Sequence, residues 1–406
     1  MDRKGTMVEL QRGRTPNGNK EILRTLTVGL DKVSSFIRKE YFASYIKEGG
    51  SKIKFLMGKK GAGKTHLLAL MAMEAEEEGF LSISLDAQSI LLSDMTNLYM
   101  ALYRALDFED IVSRISESIM TSLGYDYDRK VGKSALAWLS DRGEQSAIVR
   151  QELRSEVRKT IISNKELDHN FAQILSLKVS EKLGILAIDE DLEALSDDWL
   201  NVERSVKVAK LRSYGLAGYK INKTNARRLL KSLGEAVHLA GYSGLFVSVD
   251  NLQNIVSNSS LEEVKYTKMK RDDAYEVIRQ LIDDIDVFRY FFLILSFDRI
   301  LVDHEKWGMK SYQALWLRVQ NEIVSGRVNL YNDLLDLDKI NPAILVPQSV
   351  MEMSRRLTEL FRSENFSAHE VTEKEAEAIL KESRYGSVSI PLLTNQYTLQ
   401  LKEAEK

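Results

Sequence analysis

The sequence predicts an α/β protein with a parallel sheet at its core, a large helical insertion and a helical C-terminal region. The first observation is a succession of strand, loop, helix and strand: apolar strands at 53–57 and 80–85 flank a glycine-rich loop and a helix over 64–78. The second is a pair of later apolar runs, "LFVSVD" at 245–250 and "YFFLILSFD" at 290–298. Strands that alternate with helices form parallel sheets with helices on both faces.

The other segments read mainly as helices, and they divide the chain into four regions. The N-terminal segment and the first part of the core occupy 1–96, the helical insertion 97–240, the second part of the core 241–340, and the helical C-terminal region 341–406. The stretch "DKVSSFIRKEYFASYIKEGG" at 31–50 predicts a helix that Gly49 and Gly50 end, and a further helix is expected around 273–287. "GRVNLYNDL" at 326–334 predicts a final edge strand. Thr224 or Asn225 is the expected cap of the helix that precedes 245.

Composition excludes several classes of function. The chain has 406 residues and a formal net charge of -2, so its bulk charge does not favour polyanions. It has no cysteine and five histidines, which excludes disulfides and zinc ribbons and disfavours a His-rich metal site. No apolar stretch approaches the ~20 residues of a membrane span, and the opening "MDRKGTMVEL" lacks the apolar core of a secretion signal. We therefore expect a cytoplasmic protein.

The stretch "GKKGAGKT" at 58–65 matches the phosphate-binding P-loop, G-x-x-x-x-G-K-[ST]. Its glycines let the backbone curl so that N–H groups surround an anion, and the helix that begins there adds its positive dipole end. Lys64 is expected to reach the β and γ phosphates, and Thr65 to ligate Mg²⁺. The candidate nucleotide-binding residues are Gly58, Lys59, Lys60, Gly61, Ala62, Gly63, Lys64, Thr65 and His66. The alternative is a glycine-rich turn with a chance Lys-Thr, but the flanking strand and helix favour a P-loop NTPase.

Asp250 is the candidate Walker B acid, because it ends a buried apolar run and such an acid holds magnesium through its hydration shell. A competing site is "GILAIDEDLEAL", which carries the acid pair Asp189 and Glu190. Its apolar residues continue at helical spacing, so we interpret it as a helical segment.

The residue after the candidate acid is an amide, Asn251, where a carboxylate would orient and deprotonate the attacking water. An amide can hold a water but cannot accept its proton, so hydrolysis would depend on positioning and charge stabilisation. The alternative is that another acid, such as Glu262 or Glu263, supplies the base. The sequence does not rank these alternatives.

Three further residues are candidates for the γ-phosphate end of the site. Ser296, at the end of the neighbouring apolar run, is either a polar sensor of the γ-phosphate or an ordinary strand-end serine. Arg299 and Arg318 are either surface residues or arginine fingers. A finger that served a neighbouring subunit's nucleotide would require a homo-oligomer.

The segment from Arg204 to Lys231 is strongly basic and nearly free of acids, with two interleaved tyrosines. Such a segment is typical of a nucleic-acid surface, and its alternative is a solvated face of a helical domain. The candidate contacts to nucleic acid are Lys220, Lys223, Arg227 and Arg228.

With these segments in order, the chain resembles the ATP-binding protein family of BREX phage-defence systems, in particular its BrxD-like group. The resemblance rests on the opening "LQRGRTPNGN…LTVGLDKV", on "GGSKIKFLMGKKGAGKTHLL", on "KINKTNARRLLKSLGEAVHLAGYSGLFVSVDN" and on "SFDRILVDHEKWGMKSYQALWLRV". It covers nearly the whole chain.

The resemblance implies an AAA-like ATPase core and a role in antiphage defence, beside DNA-modifying or helicase partners. It implies that residues 58–65 bind the phosphates of ATP, that Asp250 serves Mg²⁺, and that residues near Pro16 to Gly29 flank the adenine. Asn251 departs from the Asp-Glu pattern common in such ATPases, which places robust hydrolysis in doubt and leaves binding intact.

Two functions follow as hypotheses, and a third is weaker. The first is an ATPase that acts on or near DNA with partner proteins. The second is an ATP-gated scaffold with little or no hydrolysis. The third is a small-molecule kinase, which is disfavoured because such kinases are usually shorter and the chain shows no lid motif.

Overall fold

A single parallel sheet forms the centre of the described structure. The computed structural model describes residues 20–144, 146–257, 264–324, 328–363, 365–385 and 390–399. In these residues the strands are β1 (Ser51–Gly58), β2 (Leu81–Asp86), β3 (Leu245–Asp250), β4 (Phe291–Asp298) and β5 (Leu334–Asp336). Their order in the sheet is β2-β3-β4-β1-β5, and every paired strand is parallel to its neighbour. The predicted α/β P-loop fold is confirmed.

Helices account for most of the remaining described chain. They are α1 (Lys20–Leu26), α2 (Asp31–Ile37), α3 (Lys64–Glu77), α4 (Met95–Ala105), α5 (Phe108–Ser122), α6 (Ala135–Ser140), α7 (Ser146–Val157), α8 (His169–Lys182), α9 (Glu190–Leu200), α10 (Val208–Ser213), α11 (Ala226–Leu239), α12 (Lys268–Asp283), α13 (Ile300–Asp303), α14 (Gln313–Val324), α15 (Leu337–Ile344), α16 (Pro347–Ser363), α17 (Glu373–Tyr385) and α18 (Ile390–Thr398). The helix predicted before Gly49 is α2 continued by a π-helical segment, Arg38–Tyr45.

Both faces of the sheet are buried, which explains why its inner strands read as nearly unbroken apolar runs. On one face, Val247 and Leu293 join a core that extends through the helices between Met95 and Leu239. On the other face, Phe246 and Phe292 pack against α2, its π-helical continuation and α3. The helices of the predicted insertion thus share a hydrophobic core with the sheet, whereas the four domain boundaries remain a prediction.

Three local predictions were wrong in position or detail. The edge strand is Leu334–Asp336, and the preceding residues 328–333 form a loop instead of a strand. The predicted helix over 273–287 begins earlier, at Lys268, because Thr267 caps it by accepting a hydrogen bond from the backbone N–H of Lys270. Asn225 precedes α11, but its side-chain oxygen accepts from Asn222 N at 2.8 Å and caps no helical N–H.

A buried lysine explains the position of the edge strand. Lys54, in β1, is fully buried, and its ammonium donates to the carbonyl oxygens of Leu330, Tyr331 and Asn332 at 3.0, 3.4 and 2.5 Å. Because these three carbonyls face the Lys54 ammonium, residues 330–332 form a loop. Pairing with β1 therefore begins at Leu334. Burial, together with the neighbouring charge of Lys52, lowers the pKa of Lys54 to about 7.

We expect the free energy of unfolding to rise from pH 7 to pH 9.5 in the wild type and to rise less in Lys54→Met. In the folded chain Lys54 loses its proton near pH 7, whereas an unfolded lysine keeps it to about pH 10.4. Between these values the unfolded state binds more protons, so stability increases with pH. Urea unfolding at pH 6.5, 8 and 9.5 measures the difference. Equal slopes in the two proteins would contradict the assignment to Lys54.

Candidate nucleotide-binding site

The glycine-rich loop connects the end of β1 to the start of α3, as the sequence predicts. Gly61 and Gly63 have φ values of +81° and +95°, a left-handed conformation that costs other residues about 1–2 kcal/mol. Gly63 directly precedes the first helical residue, Lys64. The loop therefore presents the N-terminal end of a 14-residue helix at the carboxyl edge of the sheet, where an anion is stabilised by N–H groups and by the helix dipole.

The lysine of the loop is held by a carboxylate that the sequence reading did not single out. Lys64 Nζ donates to the carbonyl oxygens of Gly58 and Lys59 at 3.0 and 2.9 Å and to Asp298 Oδ1 at 2.5 Å. The lysine side chain is 8% exposed, so the ion pair with Asp298 is largely shielded from water. Phosphate oxygens would have to replace Asp298 as the partner of this ammonium.

Asp250 joins the P-loop helix to the sheet. Its Oδ2 accepts a hydrogen bond from Thr65 Oγ1 at 2.6 Å, and its Oδ1 accepts from Ser296 Oγ at 2.6 Å. Strand β4 lies between β1 and β3, which brings Ser296 beside Asp250 although 46 positions separate them. The sheet thus places together the loop lysine, the hydroxyl, the acid and the strand-end serine that the sequence predicts for one site.

The oxygens at this junction fit Mg²⁺ bound with a nucleotide. Thr65 and Asp250 supply a hydroxyl and a carboxylate oxygen 2.6 Å apart. Mg²⁺ in phosphate sites usually takes one or two protein oxygens and completes its octahedron with phosphates and water. The described part of the chain contains no group of three or more His, Cys, Asp or Glu side chains that could hold a metal ion. A metal ion at Thr65 and Asp250 would therefore need phosphate and water oxygens as further ligands.

Asn251 occupies a left-handed turn directly after β3, with φ of +60°. Its backbone N–H returns to Asp250 Oδ1 at 2.8 Å, and its side-chain amide donates to Asp86 Oδ1 at 3.2 Å. Asparagine tolerates this conformation better than most residues that have a Cβ atom. The amide therefore has a structural reason to be here, and it points towards a carboxylate on the neighbouring strand.

The sequence matches the model of one protein family over nearly its whole length. A family described as BREX system ATP-binding protein BrxC/D matches residues 2–388. The chain belongs to this family. Neither curated proteins nor solved structures give a match. Membership assigns the chain ATP binding within a phage-defence system, and it confirms the resemblance drawn from the sequence.

Other parts of this BrxC/D-family chain contact the P-loop from both sides. His66 Nε2 lies 2.8 Å from Thr27 Oγ1, and burial lowers the pKa of the His66 ring to about 4, so the ring is neutral. Asp338 Oδ1 accepts from the Lys59 N–H at 3.0 Å, and Asn341 donates to the Ala62 carbonyl at 3.0 Å. The side chain of His66 thus faces the N-terminal segment, and α15 anchors the loop.

Several residues that the sequence suggested for the site are engaged in other contacts or lie outside the described residues. Arg299 pairs with Asp336 and Asp338, and Arg318 pairs with Asp283, so both arginines are engaged within the chain. Residues 258–263, which include Glu262 and Glu263, lie outside the described residues, as do Pro16 to Asn19 of the expected adenine segment. The segment with Asp189 and Glu190 is helix α9, capped by Asp189, which confirms its helical interpretation.

The basic segment is partly neutralised by acids. Arg227 pairs with Asp284, and Arg228 pairs with Asp168, whose side chain is fully buried. Five other basic residues of this segment are exposed, and the described structure shows no acidic partner for them. They are Arg204, Lys207, Arg212, Lys220 and Lys223, and we call this set the basic patch. Lys220 Nζ donates to the carbonyl of Arg204, so at least these two members adjoin.

In the described residues, no helix is both long and apolar enough to cross a membrane.

The residues that the sequence analysis did not identify are Asp86 and Asp298. A signal for Asp86 was present, because β2 ends in "SISLD" as β3 ends in "FVSVD". Asp298 ends "LILSFD" two positions after Ser296, but no sequence rule pairs it with Lys64 across 234 positions.

We expect Asp298→Asn to tighten ATP binding by roughly tenfold. A charged hydrogen bond of about 1.5–3 kcal/mol holds Lys64 in the free protein and must break when phosphates bind, and tenfold corresponds to about 1.4 kcal/mol. The variant also removes a negative charge that faces the phosphate position. Isothermal titration at 0.15 M salt measures the affinity, with Asp303→Asn, an exposed carboxylate, as the control. Weaker binding by Asp298→Asn would show instead that Asp298 positions the lysine productively.

Proposed function

We propose that this chain is a magnesium-dependent ATPase of modest rate that acts as a nucleotide-dependent switch in phage defence. The observation that carries the proposal is the convergence of Lys64, Thr65, Asp250 and Ser296 at the carboxyl edge of β1, β3 and β4. Family membership supports ATP as the nucleotide. Phosphoryl transfer needs positioning and charge stabilisation more than covalent chemistry, and these residues offer both.

Each residue has a distinct part in this proposal. The N–H groups from Gly61 to Thr65 surround the phosphates, and Lys64 exchanges Asp298 for β- and γ-phosphate oxygens. Thr65 and Asp250 hold Mg²⁺, which would neutralise phosphate charge. Ser296 donates to Asp250 and so fixes the direction of its carboxylate. Contact of Ser296 with the γ-phosphate would require this hydrogen bond to rotate away.

Contacts between the P-loop and the C-terminal half of the chain support the switch role. Asp338 binds the Lys59 N–H and also accepts from Arg299, which directly follows Asp298 in the chain. Release of Asp298 by Lys64 therefore alters the charges around Arg299 and α15. A change at the phosphates can reach the C-terminal helices by this route, since α15 leads directly to α16.

The second candidate function is an ATP-gated scaffold with little or no hydrolysis. Asn251 favours it, because an amide cannot accept the proton of the attacking water. The two functions share the binding site and differ only in turnover.

We expect the wild type to bind and hydrolyse ATP, and Lys64→Ala to lose both binding and protection against phage. The lysine supplies the positive side chain nearest the phosphates, so its removal lowers affinity and turnover by more than about 100-fold. Steady-state phosphate release with magnesium, with and without DNA, measures turnover, and nucleotide titration measures binding.

The outcomes separate the two candidates. Tight ATP binding by a wild type without turnover would favour the scaffold. Full protection by Lys64→Ala would contradict any role for the nucleotide. A phosphorylated small molecule in place of free phosphate would indicate a kinase.

The basic patch supports contact with DNA, either alone or beside a helicase-type partner of the same defence system. Its members lie in the segment that precedes α11, so a polyanion could lie along them. Arg227 and Arg228 are poor test positions, because charge reversal at Arg228 would leave the buried Asp168 without its cation and destabilise the insertion.

We expect Arg204→Glu with Lys220→Glu to weaken binding to a 30-base-pair duplex at least tenfold and to reduce the salt slope by about two. Fluorescence anisotropy from 50 to 200 mM salt measures both quantities. The matched control is Lys374→Glu with Lys381→Glu, which makes the same charge change on the exposed face of α17. An equal loss in both pairs would show that net charge, not the basic patch, governs binding.

A further inference from the structure

We propose that Asp86 is the general base for ATP hydrolysis, with Asn251 orienting both this carboxylate and the attacking water. The inference rests on the proposed ATPase function and supplies the proton acceptor that Asn251 cannot be. Its basis is the carboxyl edge of β2 and β3, where two acids on adjacent strands flank an amide.

Asp86 stands beside Asp250 in the sheet. The two residues are register partners at the ends of parallel strands β2 and β3. The two strands also match two positions earlier, where Ser84 and Ser248 are register partners and Ser248 Oγ donates to Ser84 Oγ at 3.0 Å. Neighbouring strands lie about 4.8 Å apart, so the two carboxylates occupy one edge of the sheet. Both residues line the same cleft.

Asp86 has one engaged oxygen and one open oxygen. Its Oδ1 accepts from the Gln88 N–H at 2.8 Å and from Asn251 Nδ2 at 3.2 Å. For Oδ2, the described structure shows no hydrogen bond. The side chain is exposed and borders a cleft of about 510 Å³ that Thr65, Asp250 and Asn251 also line. A carboxylate fixed by one oxygen and open at the other is suited to accept a proton from water.

A chain of side chains fixes the orientation of Asn251. Gln253 Nε2 donates to Asn251 Oδ1 at 3.2 Å, and Gln253 Oε1 accepts from the Asp298 N–H at 3.1 Å. The NH₂ of Asn251 is thereby directed at Asp86, and the site is crossed by a continuous row from β2 to β4. Asn251 is a positioning residue in this arrangement, and Asp86 supplies the carboxylate within hydrogen-bond reach of it.

The proton balance is complete with the groups named. The water oxygen forms a bond to the γ-phosphorus, and the bond from that phosphorus to the β,γ-bridging oxygen breaks, with its electron pair leaving on ADP. One water proton passes to Asp86 Oδ2. The other water proton stays on the phosphate. Asp86 then passes its proton to solvent through the open cleft, which restores the carboxylate, and inorganic phosphate and ADP leave.

Asp298 is the rival carboxylate, because it becomes free when Lys64 turns to the phosphates. It stands on the opposite side of Asp250, paired in register with Gly58 of β1. The amide that follows the Walker B acid contacts the side chain of Asp86, whereas it reaches Asp298 only through Gln253 and a backbone N–H. This contact favours Asp86.

The test compares Asp86→Asn, Asp86→Glu and Asp298→Asn in steady-state ATP hydrolysis and ATP titration. Asn at 86 keeps an oxygen for the Gln88 and Asn251 donors, so we expect unchanged folding and an ATP Kd within threefold of wild type. We expect kcat to fall at least 100-fold in Asp86→Asn and to recover partly in Asp86→Glu. Glu76→Gln, a carboxylate at the far end of the same cleft, is the charge-matched control with kcat within twofold.

The outcomes distinguish this proposal from the function on which it rests. Turnover by the wild type together with more than a third of that kcat in Asp86→Asn would overturn Asp86 alone. A larger loss of kcat in Asp298→Asn than in Asp86→Asn would assign the base to Asp298. A wild type that binds ATP without turnover would overturn both the ATPase function and its base. A fall in melting temperature or ATP affinity that accounts for the Asp86→Asn loss would reduce Asp86 to a structural residue.

Discussion

The carboxylate of Asp250 is the contact on which the site depends. One of its oxygens binds the first turn of α3 through Thr65, and the other binds β4 through Ser296. The P-loop helix, strand β3 and the neighbouring strand β4 are thereby fixed to one another at a single side chain. Threonine and serine each donate to a different oxygen of this carboxylate, so one side chain holds two elements at once.

A row of polar side chains extends from this junction along the edge of the sheet. It runs from Asp86 through Asn251 and Gln253 to the backbone of Asp298, whose carboxylate holds Lys64. Such rows are cooperative, because each donor fixes the direction of the next acceptor. In the proposed switch, ATP would remove one end of the row by taking Lys64 from Asp298. Under the same proposal, this exchange would alter the surroundings of Arg299, whose partners Asp336 and Asp338 lie at the start of α15.

Sequence alone was sufficient for the parts of the fold that depend on local pattern. The bounds of β3 were predicted to the residue, and helix α3 was predicted to within one residue, because apolar runs and glycine boundaries are local signals. The edge strand was misplaced because a lysine 276 positions away holds the loop before it. Likewise, the partners of Lys64 and Asn251 come from β4 and β2, and no spacing rule reports contacts made only when parallel strands align.

The amide at 251 is best explained by conformation and charge together. An aspartate in the same orientation would place a carboxylate oxygen where Asn251 Nδ2 lies, 3.2 Å from Asp86 Oδ1, and the two like charges would repel. A glutamate would be strained in the left-handed turn. Asparagine removes both costs and donates a hydrogen bond instead. The departure from the Asp-Glu pattern therefore does not by itself make the site inactive. It is what a site requires if the proton acceptor has moved from the residue after the Walker B acid to the end of the adjacent strand.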